Sequence, residues 1–243
     1  MNIFKNIQTY FRRKKEMWEL LDDIKDVDEV LLAKRLEVFE EVVNPAFAKI
    51  GLTNWNGKYH WFSDFNEDGI KHVIEYHVFK TYGGSFSYGI CFDFIPTISG
   101  KKLINHRTEK STKIIYEKLL EGWQNYKEDK RSKPYKIKTY NEHKFRCSLD
   151  KVLWYNTPKI KKWFKAHQTL DQIINSVLED IKNPPFCYEF ENKIITSEYI
   201  LAFLYKKKQD SKNATYWINK HFEKAFNTEV EIEMIKKRLL EHT

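Results

Sequence analysis

Polar and apolar positions alternate most regularly between Tyr59 and Ile95, where three segments together carry the pattern of one antiparallel meander. In Ser85 to Ile95, residues Phe86, Tyr88, Ile90, Phe92 and Phe94 interleave with Ser85, Ser87, Gly89, Cys91 and Asp93. That period of two predicts a half-buried strand. Ile70 to Phe79 sets Ile74, Tyr76 and Val78 on one parity and Lys71, Val73, Glu75 and His77 on the other, and Gly83 and Gly84 are expected to close a hairpin at positive φ. Tyr59 to Phe65 is aromatic at nearly every step and ends in Asn66-Glu67-Asp68-Gly69, a reversal signal. A sheet this short needs helices over its apolar face.

The flanking sequence supplies such helices. Phe4, Ile7, Phe11, Trp18 and Leu21 predict one over Ile3 to Ile24. A second follows Asp26, with Glu29 placed for a capping box and Leu32, Leu36, Phe39 and Val43 as its apolar stripe. It is interrupted at Asn44-Pro45 and stopped at Gly51. Beyond the meander, Pro96 to His106 reads as a loop and Thr108 to Tyr126 as a helix bearing Ile115, Leu119 and Trp123. Alternation at Tyr135, Ile137, Thr139 and again at Phe145, Cys147, Leu149 predicts a further hairpin. Short helices are expected from Thr157-Pro158 and from Thr169, the latter bearing Ile173, Val177 and Ile181 and ended by Asn183-Pro184-Pro185. Phe186 to Ile195 reads as extended, and Ser197 to Lys207, Ser211 to Phe226 and Thr228 to Leu240 as helices, Thr228 and Glu231 forming a capping-box pair. The resulting expectation is an α+β fold: an antiparallel β-meander sheet covered by amphipathic helices, with a C-terminal helical hairpin region. It divides into a core over 1–185 and a helical cap over 186–243.

Composition narrows the class. Aromatic residues at 16% argue against disorder. The three cysteines, Cys91, Cys147 and Cys187, are widely spaced and odd in number, so they predict a reducing, cytoplasmic setting rather than a disulfide framework. No run approaches a membrane span, and Arg12-Arg13-Lys14-Lys15 breaks the apolar core that a signal peptide requires. The net charge of +8 is unevenly placed: 101–165 holds 19 Lys and Arg against 7 Asp and Glu, more than the whole excess. That basic segment is either a solvated lysine face or an attraction for acidic partners.

Candidate chemistry is sparse. Glu75, His77 and Asp93 share the sheet face opposite the expected core, but a solvated or partner-covered face is the stronger reading, and no metal or other cofactor is assigned. Cys91 on that face lacks an activating neighbour, and no glycine-rich phosphate loop is present. In the basic segment, Lys127, Lys130, Arg131, Lys133, Lys136, Lys138, Lys161 and Lys162 interleave with tyrosines and Trp163, a mixture able to contact phosphates and stack on bases.

The order of Asn44-Pro45-Ala46-Phe47-Ala48-Lys49-Ile50-Gly51-Leu52, the aromatic strand Tyr59-His60-Trp61-Phe62, and strands Val73 to Phe79 and Phe86 to Phe94 resembles the bacterial domain of unknown function 4304 over the first half of the chain. The resemblance implies a fold and a bacterial setting and, by analogy, a place among toxin-immunity or defence-associated proteins; it carries over no catalytic residue. The favoured expectation is a non-enzymatic protein-interaction module docking through the outer sheet face or the C-terminal helices, with exposed Trp and Tyr as anchors. Nucleic-acid binding through 101–165 is the alternative, and a hydrolase-like site on the sheet face the third.

Overall fold

The computed structural model describes residues 27–79, 83–100, 102–125, 134–184, 195–225 and 227–240. The fold is α+β, and it centres on two ten-residue strands, β3 (Ile70–Phe79) and β4 (Gly83–Phe92). With β1 (Asn54–Trp55), β2 (His60–Phe62) and β7 (Tyr116–Leu119) they form a sheet of order β1-β2-β3-β4-β7, and β8 (Ile137–Lys138) also pairs with β4, antiparallel. The expected meander is therefore present. β4 differs from expectation in being buried on both faces, with only Tyr88 half exposed; Ile90 and Phe92 pack into one apolar cluster and Cys91 into another.

The chain divides into two compact units. The first takes the described residues up to Trp61 together with Glu75–Ser87 and Leu119–Lys161; the second takes Phe62–Ile74, Tyr88–Lys118 and the residues from Lys162 onward. In the first unit, helix α1 (Leu32–Val38) runs into a π-helical turn (Phe39–Val43) and then α2 (Asn44–Ala48). Pro45, in the first turn of α2, cannot donate to the carbonyl four residues back, and the helix widens just ahead of it. Gly51, at φ 96°, ends the run as expected. The α1 stripe is rotated from the expected one: Leu32 is exposed, while Arg35 and Val38 are buried with Phe39 and Val43. Arg35 donates to Val30 O at 2.6 Å and to Glu29 at 2.7 Å, so Glu29 serves an ion pair and not a capping box. Asp26 and the helix expected over Ile3 to Ile24 lie outside the described residues. The core is aromatic: Phe39 and Phe47 meet Trp61 edge-on at 5.4 Å each, and Phe39 meets Tyr76 at 4.9 Å.

Two expected elements are corrected. The helix expected over Thr108 to Tyr126 is β7 followed by the short α3 (Glu121–Asn125). Ile114, Ile115 and Tyr116 are consecutively buried, which a strand with two covered faces permits and a surface helix does not, and Ile115 N donates to Ile90 O at 2.8 Å. The hairpin expected through Phe145 to Leu149 is instead the start of the 24-residue helix α4 (Glu142–Lys165), which passes through Pro158 without a new start. Asn141 initiates it, its side chain accepting from Lys144 N at 2.9 Å, and Phe145, Leu149, Val152, Ile160 and Phe164 are its buried positions. Pro96 to His106, expected as a loop, contains a small hairpin of β5 (Thr97–Ser99) and β6 (Lys102–Ile104). Gly83 and Gly84 lie within β4, and Gly84 has no positive φ; a Cβ on Gly84 would meet Tyr76 Oη, so close packing explains that glycine.

The second unit gathers Ile90, Phe92, Phe94 and Ile95 against α5 (Leu170–Lys182), α6 (Ser197–Lys207), α7 (Ser211–Lys224) and α8 (Glu229–Leu240). Thr169 and Gln172 form a full capping box on α5, and α6 and α7, joined through Lys208–Asp210, make the expected helical hairpin. Thr228 Oγ1 accepts from Glu231 N at 3.3 Å, and the Glu231 carboxylate accepts from Thr228 N at 2.7 Å, closing the expected box on α8. Phe186 to Ile194 lies outside the described residues. Among the described residues no helix is long and apolar enough to cross a membrane.

Four histidines of this unit are held below their usual protonation range, chiefly by burial: His72, His106, His167 and His221. A depressed imidazole stays neutral in the folded state while the unfolded chain takes up a proton below about pH 6.5. The unfolded state therefore binds more protons, and stability falls as pH drops through the interval between 6.5 and the folded values. Thermal melts are expected to lose midpoint steadily between pH 7.5 and 5. A flat profile would show that these rings are already solvated.

Candidate functional site

Glu75 and His77 face the same side of β3, and β4 and β2 build a polar row around them. His77 Nε2 shares a hydrogen bond with Ser87 Oγ at 2.8 Å and lies 3.9 Å from Glu75 Oε2; Glu75 Oε1 lies 3.6 Å from His60 Nε2. The Trp123 ring stands edge-on to His77 at 5.3 Å. The chemistry available to this row is limited by its geometry. A serine nucleophile needs its histidine oriented by a carboxylate on the far ring nitrogen. Here serine and carboxylate approach the same nitrogen, and Ser87 is fully buried. The row reads as a hydrogen-bonded sheet face.

Asp93 does not join it. Its backbone N–H donates to Gly69 O at 3.1 Å in the second unit, and its Oδ1 is buried without a hydrogen-bond partner among the described residues. Among the described residues no three His, Cys, Asp or Glu side chains gather as a metal would require. Cys91 is buried, and desolvation pushes its thiol up to about 12, which suits a structural thiol. Beside it Lys71, 1% exposed, is held by the carbonyls of Glu109 (2.6 Å) and Ser111 (3.2 Å) and by the faces of Phe62 and Phe65. Desolvation lowers its pKa, and its contacts are those of a caged core cation.

The basic segment is only partly placed. Lys127, Lys130, Arg131 and Lys133 lie outside the described residues. Lys136 and Lys138 are half buried, and Lys138 is in β8 with its N–H bonded to Ser148 Oγ. On α4, Lys159 pairs with Glu121 at 2.8 Å and stands over the Tyr155 ring, whereas Lys161, Lys162 and Lys165 are exposed. Because α4 is a helix, it also brings His143 and Cys147 together one turn apart, 3.8 Å between Sγ and Nε2. The expected hairpin would have hidden that pair.

The most exposed apolar surface of the second unit is on its last helix. Ile235 is fully buried and anchors α8, and Leu239 packs beside it. An open groove runs along the flank of the helix, lined by Glu229, Ile232, Glu233, Lys236, Lys237 and Leu240. The spacing i, i+3, i+4, i+7, i+8, i+11 makes these one continuous strip. Leu240 is 79% exposed and Val230 48%. Of the expected aromatic anchors, Trp154 and Tyr216 are exposed and Trp217 is half buried.

Compared with known protein families, curated proteins and solved structures, the chain matches none.

Proposed function

We propose that the chain is a non-enzymatic protein-interaction module whose docking face is the outer strip of α8. The observation that carries this reading is a helix seated by the fully buried Ile235 whose groove-lining flank carries Ile232 and the 79% exposed Leu240 between charged residues. Such a strip fits an amphipathic helix from a protein partner, read by two apolar anchors two turns apart. The Glu75–His77–Ser87 row favours this reading over hydrolysis, since its serine is fully buried and serine and carboxylate approach the same imidazole nitrogen. A cytoplasmic setting is read from the three cysteines, odd in number, whereas a bacterial setting and a toxin-immunity or defence role enter with the resemblance to domain of unknown function 4304 and share its analogical footing.

The test is site-specific photo-crosslinking in cells. A crosslinker at position 240 is expected to capture a discrete protein, while one at Lys212, exposed on α7, captures none. Equal or absent capture at both positions would contradict the proposal.

Nucleic-acid binding is the second reading, favoured by exposed Lys161, Lys162 and Lys165. Under the docking reading, any such binding is weak, in the micromolar range or above at physiological salt, and falls steeply as salt rises. Nanomolar affinity at physiological salt, abolished by changing these three lysines to Glu, would reverse the order of the two readings.

A further inference from the structure

We propose that Asn56 is a self-modifying residue, converted to aspartate and isoaspartate by attack of its own backbone. The chain holds one Asn-Gly pair, Asn56-Gly57, and both residues are exposed in the loop between β1 and β2. Gly57, at φ 75°, has no side chain to shield its backbone nitrogen, and rotation about two Asn56 torsions brings that nitrogen to the Asn56 side-chain carbonyl carbon. The loop serves both ends of the amide under attack. Asn56 Oδ1 accepts from the backbone N–H of Lys58 at 2.9 Å and from those of Tyr59 and His60 at 3.1 Å each. Three donors on one oxygen stabilise the negative charge that gathers there as the carbon becomes tetrahedral. Asn56 Nδ2, the leaving nitrogen, shares a hydrogen bond with His60 Nδ1 at 2.9 Å, within reach of proton transfer. Glu75 Oε1 lies 3.6 Å from the other ring nitrogen, Nε2, and holds the ring from its far side. Carboxylate and reacting group thus take opposite nitrogens of His60, the arrangement that His77 lacks.

The steps need water alone as co-reactant. Gly57 N bonds to Asn56 Cγ and gives its proton to solvent, while the C=O electron pair moves onto Oδ1. That pair returns as the Cγ–Nδ2 bond breaks, and Nδ2 takes a proton from His60 Nδ1 and leaves as ammonia; solvent reprotonates the imidazole. The product is a five-membered imide. Water opens it at either carbonyl, giving aspartate or, with one more carbon in the backbone, isoaspartate. The extra carbon falls beside Trp55, which stacks on the buried Trp61 at 6.2 Å, so the change reaches β1 at the edge of the sheet.

A loop cap is the simpler account of the Oδ1 contacts, and Asn66 supplies an example. Its Oδ1 accepts from Asp68 N at 3.1 Å and Ile70 N at 2.9 Å, but Glu67 follows it and its Nδ2 donates to the carbonyl of Gln168, which has no proton to return. The positive φ accounts for Gly57 as well. The imidazole at the leaving nitrogen is what a cap leaves unexplained, and the two accounts predict opposite rates. A cap restrains the loop and protects Asn56, whereas the arrangement proposed speeds its loss.

The test incubates the full chain at neutral pH, folded and unfolded in guanidinium, and follows Asn56 and Asn66 by peptide mass spectrometry, with isoaspartate distinguished by enzymatic methylation. The folded chain is expected to lose Asn56 at least about tenfold faster than the unfolded chain, a conservative share of what a positioned acid contributes. Both products are expected, with Asn66 intact. His60→Gln, folded by circular dichroism, is expected to bring the folded rate down to the unfolded one or below. Glu75→Gln is expected to slow the reaction when His60 is present and to add nothing in the His60→Gln background, since it acts through the ring. Folded Asn56 that reacts no faster than unfolded Asn56, a folded His60→Gln chain that reacts like wild type, or aspartate formed without isoaspartate would each overturn the inference; a Glu75→Gln effect that persists without His60 would overturn the part given to Glu75. The comparison of folded with unfolded wild type needs no variant, so the test stands even where His60→Gln misfolds.

Discussion

Phe92→Ala is expected to destabilise the protein by about 3–5 kcal/mol, the range for truncating a buried phenylalanine. Phe92 has no exposed surface, and it lies in the second unit's core among Ile90, Phe94, Ile95 and the residues of α5 to α8. Its ring meets Phe94 edge-on at 5.4 Å, a contact that a smaller side chain loses along with the transfer energy. The strand cannot collapse into the space, because its backbone is fixed by neighbours on both sides. For a chain of this length, such a loss lowers the thermal midpoint by roughly 6–20 °C. Phe92→Leu, which retains most of the volume, is expected to cost less than half as much. A Phe92→Ala protein that melts like wild type would show that the core is not organised around β4.

Gly89→Ala is expected to have a comparable effect by the opposite mechanism. A Cβ at this position would sit 2.1 Å from the backbone oxygen of Tyr116 and 2.6 Å from Ile114 Cγ2. A side chain could rotate away from such a contact, but a backbone carbonyl in a strand cannot. β4 and β7 must separate locally, which strains the adjacent hydrogen bond from Ile115 N to Ile90 O. The cost belongs at the upper end of the ~1–3 kcal/mol typical of overpacking. Hydrogen exchange at Ile115 should accelerate along with the fall in midpoint. An unchanged melt and a protected Ile115 amide would mean that β7 does not press on Gly89.

The elements legible in the sequence were those with a sufficient local signal. Period-two alternation marked β3 and β4, Thr169 with Gln172 and Thr228 with Glu231 marked helix starts, and Gly51 marked a stop. Where two periodicities fitted the same residues, tertiary packing decided between them, once for the shorter element and once for the longer. Ile115, Leu119 and Trp123 recur every four residues, yet Ile114, Ile115 and Tyr116 are buried in succession, and sheet pairing prevailed. Phe145, Cys147 and Leu149 alternate, yet Phe145, Leu149, Val152, Ile160 and Phe164 follow helical spacing over a longer span, and Asn141 caps it. The contact of His77 with Ser87 was not legible, since it depends on the register between two strands and not on either sequence alone. Gly83 and Gly84 carried a turn signal, but tertiary packing against Tyr76 accounts for Gly84. The α8 helix was read from its spacing and its cap, but the strip along its flank, four of whose six residues are charged, was not.

Lysine footprinting addresses the docking face most directly. Lys236 and Lys237 line the strip, while Lys212 is exposed on α7 and is not among the described residues that line it. Labelling with an amine-reactive reagent, in intact cells and on dilute purified protein, compares their accessibility with and without a partner. The docking account predicts that Lys236 and Lys237 are protected in cells and become reactive on dilution, with Lys212 reactive in both. Equal labelling of all three lysines in both conditions would contradict it.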